Sequence, residues 1–175
     1  MLSERLISRE ELEGIIDRLA AEVARDLDGK DPVFVCILKG AVYFFTELTL
    51  RLGRSVVVDF IQVSSYGKTT VSSGSVALVK DITVDIAGKD VYVVEDIVDT
   101  GLTLTDVVQL LRARHPRSVK IVTLLSKPAR RVVEVEVDFI GVDIEDRFVV
   151  GYGLDFGEQY RNLTGIWEFV PDQEE

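Results

Sequence analysis

The chain has 175 residues, enough for one domain of ordinary size, and 47% of them are hydrophobic, which excludes an intrinsically disordered polymer. Its formal charge of −10 argues against nucleic acid as the main partner, because neutralising phosphates takes clustered Lys and Arg. One cysteine (Cys36) and one histidine (His115) exclude a disulfide framework, a Cys/His zinc site and a HExxH metalloprotease.

Along the chain, residues 1–11 mix Glu and Arg without an apolar stretch, so no secretory signal is expected and the cytoplasm is the expected location. Leu12, Ile15, Ile16, Leu19 and Val23 recur at helical spacing and predict an amphipathic helix over about 10–27, ended by Asp28-Gly29. Residues 33–38 form a wholly apolar run, the pattern of a strand buried on both faces. Lys39 stops that run far short of the ~20 residues a membrane span needs. Helical period returns over 41–52, with Phe44, Phe45, Leu48 and Leu52 on one side, and 56–63 is a β-branched strand.

Residues 64–75 then carry almost no apolar side chains, and a short strand follows at 76–79. A strand at 91–95, a helix bearing Leu104, Val107, Val108 and Leu111, and strands at 119–125 and 137–142 complete the series. This alternation predicts an α/β fold around a central, mostly parallel sheet. The tail, with a brief strand at 148–150 and a glycine-rich 151–157, fits a small flap beside it.

The most informative stretch is VYVVEDIVDTGLTLT at 91–105. Ligands of open α/β sheets bind at the carboxyl ends of strands. Here such an end runs into Glu95 and Asp96, then Asp99, Thr100, Gly101, Leu102 and Thr103 before a helix. A turn entering a helix N-terminus presents N–H groups and hydroxyls to an anion. The adjacent carboxylates would repel a phosphate unless they serve sugar hydroxyls or Mg²⁺. On the residues alone, solvated loop acids and a plain threonine N-cap remain the alternative. Neither GxxxxGK[ST] nor a dinucleotide fingerprint is present.

EDIVDTGLT after a Val-rich strand resembles the phosphoribosyl-pyrophosphate signature of type I phosphoribosyltransferases. Leu38-Lys39-Gly40, Ser65-Tyr66-Gly67, Ser126-Lys127-Pro128, and Phe148 to Asp155 followed by Arg161 narrow the resemblance to the hypoxanthine(-guanine) branch. It implies a single domain over 1–175. A five-stranded, mostly parallel core would occupy about 10–145. The N-terminal segment and about 146–175 would make a hood, and 64–75 a mobile lid carrying Ser65 and Tyr66.

The implied reaction joins a 6-oxopurine to phosphoribosyl pyrophosphate with Mg²⁺, in a homo-oligomer of two or four copies that binds neither nucleic acid nor membrane. In this reading Asp99 handles a proton at purine N7, and Asp99, Thr100, Gly101, Leu102 and Thr103 hold the 5′-phosphate. Some relatives have Lys where Leu102 stands. The peptide joining Lys39 and Gly40, expected to be cis, binds pyrophosphate with Arg161. Lys127, Phe148, Val149 and Asp155 take the purine, and Glu95, Asp96 and Asp155 are the metal carboxylates. Without the resemblance, Lys127 and Arg161 read as surface and Phe148 as core filling. A xanthine-preferring enzyme and a phosphoribosyl-pyrophosphate-sensing regulator are the alternatives.

Overall fold

The computed structural model describes residues 1–64 and 77–171. Its elements are β1 (Leu2–Ile7), α1 (Arg9–Asp26), β2 (Pro32–Leu38), α2 (Val42–Leu50), β3 (Val57–Ser64), β4 (Ala77–Lys80), β5 (Asp90–Val98), α3 (Leu102–Arg112), β6 (Ser118–Ser126), β7 (Phe139–Asp143), β8 (Val149–Val150) and β9 (Ile166–Phe169). A 3-10 turn at Pro128–Arg130 follows β6.

The main sheet has the order β4-β3-β2-β5-β6-β7. Five strands are parallel, and β4 adds an antiparallel edge to β3. β2 lies at the centre, which is why 33–38 reads as apolar throughout: its alternate side chains enter two different cores. Phe34 and Cys36 pack with Leu12, Ile16 and Leu19 of α1 and Phe44 and Leu48 of α2. Val33, Val35 and Ile37 pack on the other face with Leu104, Val107 and Leu111 of α3. Cys36 is fully buried in the first core, where burial pushes its thiol pKa up.

α1 begins one residue earlier than its apolar period suggests, because Ser8 and Glu11 form a reciprocal capping box. The hood is a second sheet, β1-β9-β8, in which the first strand pairs antiparallel with the last. Among the described residues, no helix is long and apolar enough to cross a membrane. The expected lid over 64–75, with Ser65 and Tyr66, lies outside the described residues apart from Ser64, which ends β3.

Candidate active site

The parallel strands set their carboxyl ends side by side, and β5 delivers Glu95 and Asp96 there. Glu95 Oε1 accepts from the Asp96 amide at 3.1 Å, and Asp96 Oδ1 accepts from the Ile97 amide at 2.6 Å. Burial, followed by the neighbouring Asp96 charge, raises the Glu95 carboxyl well above the usual range, and burial raises Asp96 as well. Each carboxylate is therefore held where negative charge is costly without a cation.

Glu95, Ile97, Val98, Asp99, Thr100, Gly101, Thr103 and Leu104 line an open cavity of about 90 Å³ at the start of α3. Gly101 is the N-cap, with φ +85°, and contributes no side-chain cap. The first N–H groups of a helix lack intrahelical partners and favour an anion. Leu102 is half exposed and does not line the cavity. Asp99 does line it, and its Oδ1 pairs with Arg130 Nε at 3.0 Å.

The corner after β2 reaches the same place. A Cβ on Gly40 would lie 1.7 Å from Asp96 Oδ2, so the backbone there touches the carboxylate, and any larger residue would push that carboxylate aside. On the far side, a Cβ on Gly153 would lie 1.9 Å from the Gly40 carbonyl oxygen. The cis peptide is Leu38-Lys39, one bond before the Lys39-Gly40 link expected from the resemblance.

The loop after β8 supplies the charged partners of this corner. Arg161 Nη1 donates to the Gly153 carbonyl at 2.6 Å, and Nη2 pairs with Asp155 Oδ1 at 2.9 Å. Glu158 joins the two cations, with Oε2 at 2.8 Å from Lys39 Nζ and Oε1 at 3.4 Å from Arg161 Nη2. Arg161 is thus tied into the site, contrary to its reading as an ordinary surface residue. Glu158 belongs to no motif of the sequence; its spacing three residues before Arg161 is the one local sign of its role.

Two further expectations drawn from composition alone reverse. Lys127 is buried, 6% exposed, with Nζ donating to the Arg147 carbonyl at 2.6 Å. Phe148 is 48% exposed, leaving its ring free to stack although it meets Phe156 and Phe169 edge-on. Val149 is buried in β8, the edge of the hood sheet, so one side of that strand is unpaired within the sheet.

The three proposed metal carboxylates do not form one cluster. Among the described residues no group of three or more His, Cys, Asp or Glu side chains could hold a metal by itself. Asp155 is instead engaged by Arg161. Glu95 and Asp96 still suit Mg²⁺, which is commonly bound by one or two carboxylates together with substrate oxygens and water.

A model of the phosphoribosyl transferase domain matches residues 4–157. The chain is 44% identical over 166 residues to the hypoxanthine-guanine phosphoribosyltransferase of Bacillus subtilis, covering 95% of this chain and 92% of that protein. It is 47% identical over 167 residues to the bifunctional protein TilS/HprT of Listeria monocytogenes, covering 95% of this chain but spanning only 26% of that longer protein. The crystal structure of a hypoxanthine phosphoribosyltransferase from Staphylococcus aureus superposes with a TM-score of 0.92 at 44% identity, covering 97% of this chain and 92% of that one. With the match running through both the carboxylate strand and the loop after β8, this chain belongs to the phosphoribosyl transferase family, beside its hypoxanthine-guanine members.

Proposed function

We propose that this chain is a hypoxanthine-guanine phosphoribosyltransferase that works in purine salvage. Purine N9 bonds to C1 of phosphoribosyl pyrophosphate as the C1–O bond to pyrophosphate breaks and its electron pair leaves with the pyrophosphate. The products are a nucleoside monophosphate and pyrophosphate. The observation that carries this reading is the contact of Gly40 with Asp96 beside the Asp99–Thr103 cavity. It supports a reading in which an anion cradle, an acid pair and a second anion corner serve one activated pentose.

Each side chain then has a task. Thr100, Gly101 and Thr103 hold the 5′-phosphate with N–H and hydroxyl donors; Leu102 gives its amide alone. Lys39, Gly40 and Arg161 receive the pyrophosphate, for which Glu158 must yield the two cations it holds. Asp99 takes or returns the proton at N7, a function worth ~10²–10⁴-fold in comparable enzymes. Lys127 has two ammonium donors left after Arg147, and a donor at that place favours a 6-oxo over a 6-amino purine. Phe148 stacks on the base and Val149 meets its edge.

Mg²⁺, held on its protein side by Glu95 and Asp96, would supply positive charge to the departing pyrophosphate. Core and hood act as one functional unit. The exposed Tyr43 and Leu50 on α2 support a homo-oligomer of two or four copies. The cytoplasm is the proposed location, since a multiply charged sugar phosphate does not cross a lipid bilayer.

Turnover of hypoxanthine, guanine, xanthine and adenine with phosphoribosyl pyrophosphate and Mg²⁺ tests the assignment. Hypoxanthine or guanine is expected to lead. Xanthine leading would move the chain to the xanthine-preferring reading, adenine leading would remove the role of Lys127, and no turnover at all would favour a sensor.

A further inference from the structure

The segment that follows β6 takes up the polar atoms of the phosphate loop from behind. Arg131 Nη1 donates to the carbonyl of Val98 at 2.5 Å and to that of Asp99 at 2.6 Å, while Nη2 donates to Ser126 Oγ at 3.1 Å. The next two amides, those of Val132 and Val133, donate to the Thr100 carbonyl at 3.0 and 3.3 Å. Three successive carbonyl oxygens, those of residues 98, 99 and 100, are engaged by one short stretch of chain.

The consequence follows from peptide geometry. In a trans peptide the C=O and N–H point to opposite sides. Fixing those three oxygens on the side of residues 131–133 turns the amides of Asp99, Thr100 and Gly101 the other way. The stretch also lies hard against the turn: a Cβ on Gly101 would come within 2.9 Å of Val135 Cγ2 and 3.2 Å of Val133 Cγ2. A planar guanidinium can serve two carbonyls and a hydroxyl together, which a lysine ammonium on its flexible stem does poorly.

We propose that Arg131 is a positioning residue which, with the amides of Val132 and Val133, holds the carbonyl edge of residues 98–100 away from the cavity, so that a phosphate ester meets N–H groups there. This inference rests on the reading of that cavity as the 5′-phosphate site. Arg131 does not touch substrate. Its neighbour Arg130 acts on the other part of the same loop, the Asp99 side chain.

The test compares Arg131→Met and Arg131→Lys in the full chain by calorimetric titration with inosine 5′-monophosphate, inosine and pyrophosphate, alongside thermal unfolding. Arg131→Met is expected to weaken monophosphate binding about tenfold or more, the scale of losing charge-assisted hydrogen bonds. Pyrophosphate affinity should stay within about twofold, and Arg131→Lys should fall between. If the Met variant fails to fold, the Lys variant alone decides, with a loss of about threefold or more confined to the monophosphate. An unchanged monophosphate affinity in a folded variant overturns the proposal, as does an equal loss for both ligands, which marks a merely structural role. Unsubstituted protein that binds inosine as tightly as its monophosphate overturns the phosphate assignment itself, and that failure shows before any variant is compared.

Discussion

At the N-terminal end of β5, Asp90 accepts from Arg117, from Ser118 Oγ at 2.8 Å and from the Asp31 amide at 3.2 Å. Close by, Asp26 binds Lys30, Lys120 and Tyr92. At the other end of the same strand, Glu95 and Asp96 stand side by side and make no ion pair among the described residues. The pKa values diverge accordingly. Arg117 holds Asp90 well below the carboxylate range against the effect of burial. Burial raises Asp26, but its hydrogen bonds to Lys120, Lys30 and Tyr92 outweigh this and lower it to about 2. Glu95 and Asp96 are raised instead. One end of the strand uses its acids to hold the fold, and the other keeps them ready for a positively charged partner.

Substitutions at the two ends should therefore differ in kind. The largest effect belongs to the reactive end: Asp99→Ala should lower kcat by about 10²–10⁴-fold while leaving phosphoribosyl pyrophosphate affinity nearly intact. Steady-state rates with a binding titration check this, and full activity would remove the proton-handling role.

At the structural end, Asp26→Asn should cost about 2 kcal/mol at neutral pH, because its hydrogen bonds hold the folded carboxyl at about 2, below the free value. The folded pKa lies below the unfolded one, so this stability is present above about pH 4 and is lost as pH falls towards 2. Denaturant melts of both proteins across that window should converge at its acid end.

Glu95→Gln should do the reverse. A carboxyl raised on folding makes the native state bind more protons, so its ionised form costs stability as pH rises. The substitution should stabilise the free protein and cut activity, the usual cost of a strained site. A destabilised, fully active variant would erase the contrast between the two ends of β5. The smallest effect is expected at Glu158→Gln, which frees Lys39 from its exposed ion pair and leaves Arg161 held by Asp155. Pyrophosphate should bind up to about fivefold tighter, since exposed pairs of this kind contribute little, and calorimetry would register it.

The division between what the sequence reveals and what it hides follows the same physics. β2 and β5 are legible because burial on both faces demands unbroken apolar runs, and the stretch 95–103 is legible because its chemistry is local. β1 is not, because its partner β9 lies at the opposite end of the chain and its own side chains are mostly exposed. The burial of Lys127 depends on a carbonyl at Arg147, and the tie between Lys39 and Arg161 depends on Glu158. The hold of Arg131 on the Val98 and Asp99 carbonyls likewise reaches back 33 and 32 residues along the chain. Such long-range polar contacts leave no periodic trace.

The most direct test of the account is a crystal of this protein soaked with phosphoribosyl pyrophosphate and Mg²⁺. It should show the 5′-phosphate on the amides of Thr100–Thr103, the ribose hydroxyl side at Glu95 and Asp96, and the pyrophosphate at Lys39 and Gly40. Density for the sugar phosphate elsewhere on the molecule, or none at saturating concentration, would contradict it.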